Sequence, residues 1–262
     1  MNRKGPSPFV RNPPRSLDEM FDYLNLPISR DSYTSVLDAA GKDNISHEEF
    51  LKRLLSNEAA AKFERQVQSR LRHARLPGLK TLDTFDWSHP TAIPKTKILA
   101  AMDLSFLERQ EGFVFIAEHG LGKTHLAIAL GHRAASAGVN TLFTKAVDLV
   151  NHLTAAQADH SLRKSMRLYT HPTLLIIDEL GRLSLDQKQG EHLFNVIDAR
   201  YERGSTVLTT NRAFRDRGKV FSDTVCAKGI IDRLIHHSEV IKIEGDSYRV
   251  KDRKTKSLAD PQ

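Results

Sequence analysis

The residue types that could do chemistry sit in four short stretches, and the first is Ala117-Glu118-His119-Gly120-Leu121-Gly122-Lys123-Thr124-His125. It follows an apolar run, Phe113 to Ile116. It precedes apolar positions at helical spacing, Leu126, Ala127, Leu130, Ala134 and Ala135, which stop at Gly138. A strand, then G-x-x-x-x-G-K-[ST], then a helix is the pattern of a phosphate-binding loop, because backbone N–H groups of the turn and helix start must converge on one anion. Gly120 and Gly122 supply tight curvature with no Cβ against the phosphates. Lys123 is placed to reach the β- and γ-phosphates of a nucleotide, and the Thr124 hydroxyl to complete a Mg²⁺ shell of oxygens. Ala117 replaces the pattern's first glycine, which a small residue at a strand end tolerates. Glu118 brings an anion beside the phosphates, an unfavourable placement unless its side chain turns to solvent.

The other three stretches supply the remaining chemistry. Thr173-Leu174-Leu175-Ile176-Ile177 is an unbroken apolar run ending in Asp178-Glu179. A buried strand would carry Asp178 to its carboxyl end beside the loop, where a carboxylate can hold Mg²⁺, and Glu179 could polarise an attacking water. Ser205 to Thr210 reads as a further strand that delivers Asn211. Its neutral amide can hydrogen-bond the water or the γ-phosphate without adding charge. Arg233 lies among the apolar neighbours Ile230, Ile231, Leu234 and Ile235. It is either a paired structural arginine or a finger reaching the nucleotide of an adjacent subunit.

Elements that could position these residues alternate between strand and helix, which predicts an α/β fold with a parallel sheet covered on both faces. Asn140 to Thr144 is a strand, and Val147 begins a helical stretch. Asp159 to Tyr169 is an additional helix carrying Arg163, Lys164 and Arg167, and Asp186 to Arg203 is a long helix ended by Gly204. Val240 to Ile243 and Tyr248 to Val250, with Glu244-Gly245-Asp246 between them, read as a hairpin. Upstream, Ser16 and Glu19 form a capping box before a helix that Pro27 halts. A second helix spans Asp31 to Ala40, closed by Gly41. A third starts at the Ser46/Glu49 box, repeats Phe50, Leu54, Phe63, Val67 and Leu71, and has a basic opposite face that includes Lys52, Arg53, Lys62, Arg65, Arg70, Arg72 and Arg75. That face is either a solvated surface or a contact for DNA or a partner. Trp87 either stacks on a base or is packed at a junction. The domain expectation is a flexible arm over 1–15, a helical domain over 16–78, an α/β domain carrying the phosphate loop over 79–251 and a polar tail over 252–262.

A chain of 262 residues with a formal net charge of +7 has room for one ordinary core plus an appendage, and makes a polyanion a plausible partner. One cysteine, Cys226, excludes an internal disulfide framework and a multi-thiolate metal site. No apolar run is long enough to span a bilayer and no signal peptide is evident, so a cytoplasmic protein with no membrane partner is expected.

Gly122-Lys123-Thr124-His125-Leu126-Ala127, Leu175-Ile176-Ile177-Asp178-Glu179-Leu180-Gly181, Thr210-Asn211 and Asp232-Arg233-Leu234-Ile235-His236-His237 together resemble the IstB family of insertion-sequence helper ATPases. That family is an AAA+ branch close to the DnaA initiator and the DnaC helicase loader. The resemblance covers about Ser46 to Arg249. It implies a P-loop AAA+ ATPase fold with ATP bound between subunits and ring or helical homo-oligomers on duplex DNA. It further implies recruitment or stimulation of the element's transposase. It makes Lys123 and Thr124 the Walker A pair, Asp178 and Glu179 the Walker B pair, Asn211 sensor 1 and Arg233 the trans-acting finger. The helix near Asp159 to Tyr169 corresponds to the initiator branch's insertion towards DNA. Too little chain follows Arg233 for a full helical lid. Two other functions stay open on the same motifs, a DnaC-like helicase loader and a nucleotide-gated DNA scaffold with little ATPase activity.

Overall fold

The computed structural model describes residues 13–181, 184–211 and 224–248. The chain divides into two compact units at Gln66/Val67, inside a single long helix. The sequence instead marks a boundary at Pro77-Gly78, where the helical pattern breaks.

The N-terminal unit is helical. α1 (Leu17–Leu24) starts at the expected capping box, with the Ser16 hydroxyl accepting from the Glu19 N–H and the Glu19 carboxylate reaching back to the cap. Asn25, left-handed at φ 57°, ends it, and Pro27 then opens α2 (Pro27–Asp43) at its first turn. The expectation that Pro27 halts the first helix is therefore corrected, since proline's missing N–H costs nothing at a helix start. So is the second helix's closure at Gly41, which lies inside α2; Asn44 at φ 47° is the terminator. Leu26 cannot cap α2, and the buried Glu58 of α3 (His47–His73) does so instead. Its carboxylate accepts from the N–H groups of Ile28 at 2.8 Å and Ser29 at 3.1 Å. Leu54 is buried, but Phe63 is 58% exposed, and Leu17, Met20 and Leu24 of α1 are exposed as well. The helical spacing was legible there, and burial did not follow from it.

In the second unit five parallel strands stand in the order β2-β3-β4-β1-β5. β1 (Gly112–Ala117) lies between β4 (Ser205–Thr210) and β5 (Ser238–Ile243). β3 (Leu174–Leu180) lies between β2 (Thr141–Lys145) and β4. One helical layer includes α4 (Lys95–Ala101) and α5 (Lys123–Ser136), which pack with Phe113, Phe115 and Ile176. The other includes α6 (Ala146–Ala158), α7 (Leu162–Thr170), α8 (Gln187–Arg200) and α9 (Thr224–His236), gathered on Val114, Leu175, Ile177 and Leu208. Strands covered on both faces are apolar without alternation, as the runs at 113–117 and 174–177 are, and each fully buried Leu or Ile contributes about 2 kcal/mol. Trp87 is packed: its ring meets Phe85 edge-on at 4.9 Å and lies under the Lys95 ammonium.

The expected C-terminal hairpin is corrected in part. Val240 to Ile243 pair with β1 in parallel, and Glu244 pairs instead with Ala92, so β5 is a sheet edge built from a distant partner. Arg249 and Val250, the rest of that hairpin, lie outside the described residues, as does the side chain of Cys226. Among the described residues no helix is long and apolar enough to cross a membrane.

Candidate functional site

The loop after β1 and the start of α5 form a concave turn at the carboxyl edge of the sheet. Ala117 remains a strand residue paired with Ile243, so the backbone makes no demand there that alanine cannot meet. The demanding positions are Gly120 at φ 85° and Gly122 at φ 84°. A Cβ on Gly122 would stand 2.5 Å from the Phe85 ring, so Gly122 is required by space as well as by φ, and Gly120 is required by φ. Glu118 and His119 are exposed, which removes the repulsion that an inward Glu118 would exert. Lys123 is nearly buried and donates from Nζ to the Glu118 carbonyl at 3.3 Å, so its ammonium lies over the loop.

Asp178 reaches this loop from β3. It is 3% exposed, and its Oδ1 accepts from the Thr124 hydroxyl at 2.8 Å and from the Thr209 hydroxyl of β4. Thr209 is fully buried, and its oxygen also accepts from the Glu179 N–H at 2.9 Å. Sequence reasoning missed Thr209; a threonine pair closing β4 just before Asn211 was the available signal. Glu179 has φ 61°, left-handed for a non-glycine residue, at a shift of register between Ile177 and Leu180. At this bulge Asp178 is buried against Thr124, and Glu179 lines the cavity beside the loop. Asn211, just past β4, holds its Nδ2 2.9 Å from His119 Nε2 in the loop.

Lys123, Thr124, Asp178, Glu179 and Asn211 thus converge from three strand ends. Beside them is a cavity of about 550 Å³ walled by the loop, by the segment from Leu79 to Pro90 and by Tyr248. His125 braces that wall, its Nε2 lying 2.8 Å from the Thr81 carbonyl and its ring edge-on to Phe85. The cavity can take a nucleotide. Its donor set also fits Mg²⁺: a hydroxyl and a carboxylate already in contact are hard oxygen ligands, and Mg²⁺ uses one or two carboxylates plus phosphate oxygens and water. Among the described residues no group of three or more His, Cys, Asp and Glu side chains could hold a metal by itself.

Arg233 does not join this group. Its Nε and Nη2 each donate to Asp198 at 2.8 Å, and the guanidinium stacks 4.7 Å above Phe194. It lies towards the amino edge of the sheet, beside Gly112 and Ser238, the first residues of β1 and β5. Arg163, Lys164 and Arg167 are exposed on α7, whose other side packs Leu162 and Met166 on the core.

The profile of the family described as IstB-like ATP binding protein matches residues 22–257. The chain belongs to that family. The ATP-binding protein named for insertion sequence IS5376 of Geobacillus stearothermophilus is 39% identical over 231 residues, 88% of this chain and 92% of that one. The one named for IS21 of Pseudomonas aeruginosa is 37% identical over 220 residues, 84% of this chain and 83% of its own. Two solved structures share the fold. The DnaC helicase loader has a TM-score of 0.53 and 23% identity over 66% of this chain and 99% of that one. AMPPCP-bound DnaA from Aquifex aeolicus has a TM-score of 0.55 and 20% identity over 72% of this chain and 58% of that one. The IstB-like chain therefore belongs to an ATP-binding family and shares its fold with the DnaC helicase loader and with DnaA.

Proposed function

We propose that this IstB-like protein hydrolyses ATP and uses the nucleotide cycle to control its assembly on duplex DNA, where it recruits or stimulates its element's transposase. The observation that carries the ATPase half is the contact of the Thr124 hydroxyl with buried Asp178, joining the loop to the acidic strand end beside Lys123. In this reading the turn N–H groups and Lys123 hold the β- and γ-phosphates, while Thr124 and Asp178 would hold Mg²⁺. Mg²⁺, when bound, neutralises charge on the phosphate oxygens. Glu179 accepts the proton of the attacking water, kept clear of Asp178 by the backbone bulge and by the Glu179 N–H bond to Thr209. Asn211 orients that water or the γ-phosphate.

The transposition half is supported by the relatives, which are named for insertion sequences, and by the net charge of +7. Arg163, Lys164 and Arg167 form the proposed DNA contact. Arg233 is the proposed finger toward a neighbouring subunit's nucleotide, a role that requires it to leave Asp198.

ATP hydrolysis measured with and without duplex DNA, beside Lys123→Ala and Glu179→Gln, tests the proposal. Lys123→Ala should weaken nucleotide binding at least about tenfold. Glu179→Gln should keep binding but lose about 100-fold or more in kcat, the usual worth of a positioned base. Equal rates in all three proteins would leave a DNA scaffold without turnover.

A further inference from the structure

His119 occupies a loop position that the phosphate-binding pattern leaves open to any residue, and in this chain it makes a contact across 92 positions of sequence. It follows Glu118, whose carbonyl receives the Lys123 ammonium at 3.3 Å. Because Lys123 marks where the β- and γ-phosphates rest, His119 stands at the terminal-phosphate end of the loop. Asn211 arrives from β4 and sets its Nδ2 2.9 Å from His119 Nε2, a hydrogen bond when the imidazole carries its proton on Nδ1 and accepts through Nε2. His119 is exposed and belongs to neither apolar cluster, so the contact has no evident role in holding the core.

A terminal carboxamide has two N–H donors and one oxygen acceptor, and it turns over readily unless a neighbour distinguishes its ends. An accepting ring nitrogen does that. It takes one N–H and leaves the second N–H and Oδ1 facing elsewhere in a fixed sense. We infer that His119 is a positioning residue for Asn211, holding the amide ready for the γ-phosphate and the attacking water. This rests on the nucleotide reading of the cavity given above. It adds His119 to the loop groups that serve the terminal phosphate, which the phosphate-binding pattern takes as backbone N–H groups, Lys123 and Thr124.

The experiment uses the full chain as wild type, His119→Ala, His119→Gln, Asn211→Ala and the His119→Ala/Asn211→Ala pair. Steady-state ATP hydrolysis is measured together with equilibrium binding of ADP and of AMPPCP. His119→Ala should lower kcat about tenfold while leaving the ADP dissociation constant within about twofold, because ADP has no terminal phosphate for Asn211 to meet. His119→Gln, whose Oε1 can accept from Asn211, should recover most of the loss. The double variant should be no slower than Asn211→Ala alone, since residues acting as one unit are not additive. Multiplying losses, an unchanged kcat in His119→Ala, or equal weakening of ADP and AMPPCP would overturn the inference. Should the wild type show no hydrolysis that Lys123→Ala removes, the ATPase proposal fails on its own, and binding decides this one. A preference for AMPPCP over ADP that His119→Ala loses and His119→Gln keeps supports it, and a preference unchanged in His119→Ala refutes it.

Discussion

Thr209 shows how much a single buried hydroxyl can organise. It donates to Asp178 and accepts from the Glu179 N–H, so one oxygen sets the relative placement of the two acidic residues. Thr209→Val keeps the shape and removes both bonds. The buried carboxylate then loses a donor and a backbone N–H loses its acceptor, a cost of about 1–3 kcal/mol for each group left unsatisfied. The expected outcome is a melting temperature lowered by several degrees in calorimetry. Nucleotide hydrolysis should fall more steeply than nucleotide binding, because the lost bond is one that fixes the backbone of Glu179. A variant with normal turnover would show that the bulge at Ile177/Leu180 holds Glu179 without Thr209.

Among the elements, the junction of α7, α8, β3 and β4 depends on Arg200, which is 2% exposed. Its guanidinium donates to the carbonyls of Tyr169, Pro172, Thr173 and Ser205 and to the Thr206 hydroxyl, tying the helix end to the amino ends of two strands. Burial pushes this guanidinium down to about 10, well below its ordinary value and still protonated at neutral pH. The unfolded chain holds this proton more tightly, so the group's burial penalty is constant below about pH 10 and is relieved only as pH rises above it. Arg200→Met should destabilise by about 3 kcal/mol because buried carbonyls at this junction lose a donor, with no pH dependence across the neutral range, as urea unfolding would read. None of this was legible in the sequence, where Arg200 reads as an ordinary basic residue in a helix's last turn. What was legible shares one property, that local pattern and tertiary role coincide. The apolar runs of β1 and β3, the glycine turn and the acidic pair each carry their signal within a few residues. The misreadings are of two kinds. Asn25 and Asn44 ended helices that proline and glycine were expected to end, because left-handed asparagine is a weaker signal than either. β5 looked like half of a hairpin because its alternation is local, while its partner β1 is more than a hundred residues away.

For the whole molecule, the proposed DNA contact makes a quantitative demand. Phosphate contacts release counterions, so the slope of log affinity against log salt counts them at about 0.9 per phosphate on duplex DNA. Replacing Arg163, Lys164 and Arg167 with alanine should reduce that slope by about 2–3, measured by fluorescence anisotropy on one duplex across a salt series. Their side chains are exposed, so folding and nucleotide binding should stay as they are. An unchanged slope would move the DNA contact to the basic face of α3, where Arg53 and Arg65 already have acidic partners.

The order of the strands bears on how the protein is made. β1, which carries the nucleotide loop at its end, is flanked in the sheet by β4 and β5, both of which come later in the chain. At a synthesis rate of about 5–20 residues per second, the roughly ninety residues between β1 and β4 take on the order of 5–20 s to emerge. For that interval Phe113-Val114-Phe115-Ile116 has neither of its neighbours and stands as an open apolar edge on a nascent chain. The loop at the end of β1 therefore acquires the strands that flank it only late in synthesis, after β4 and β5 have emerged.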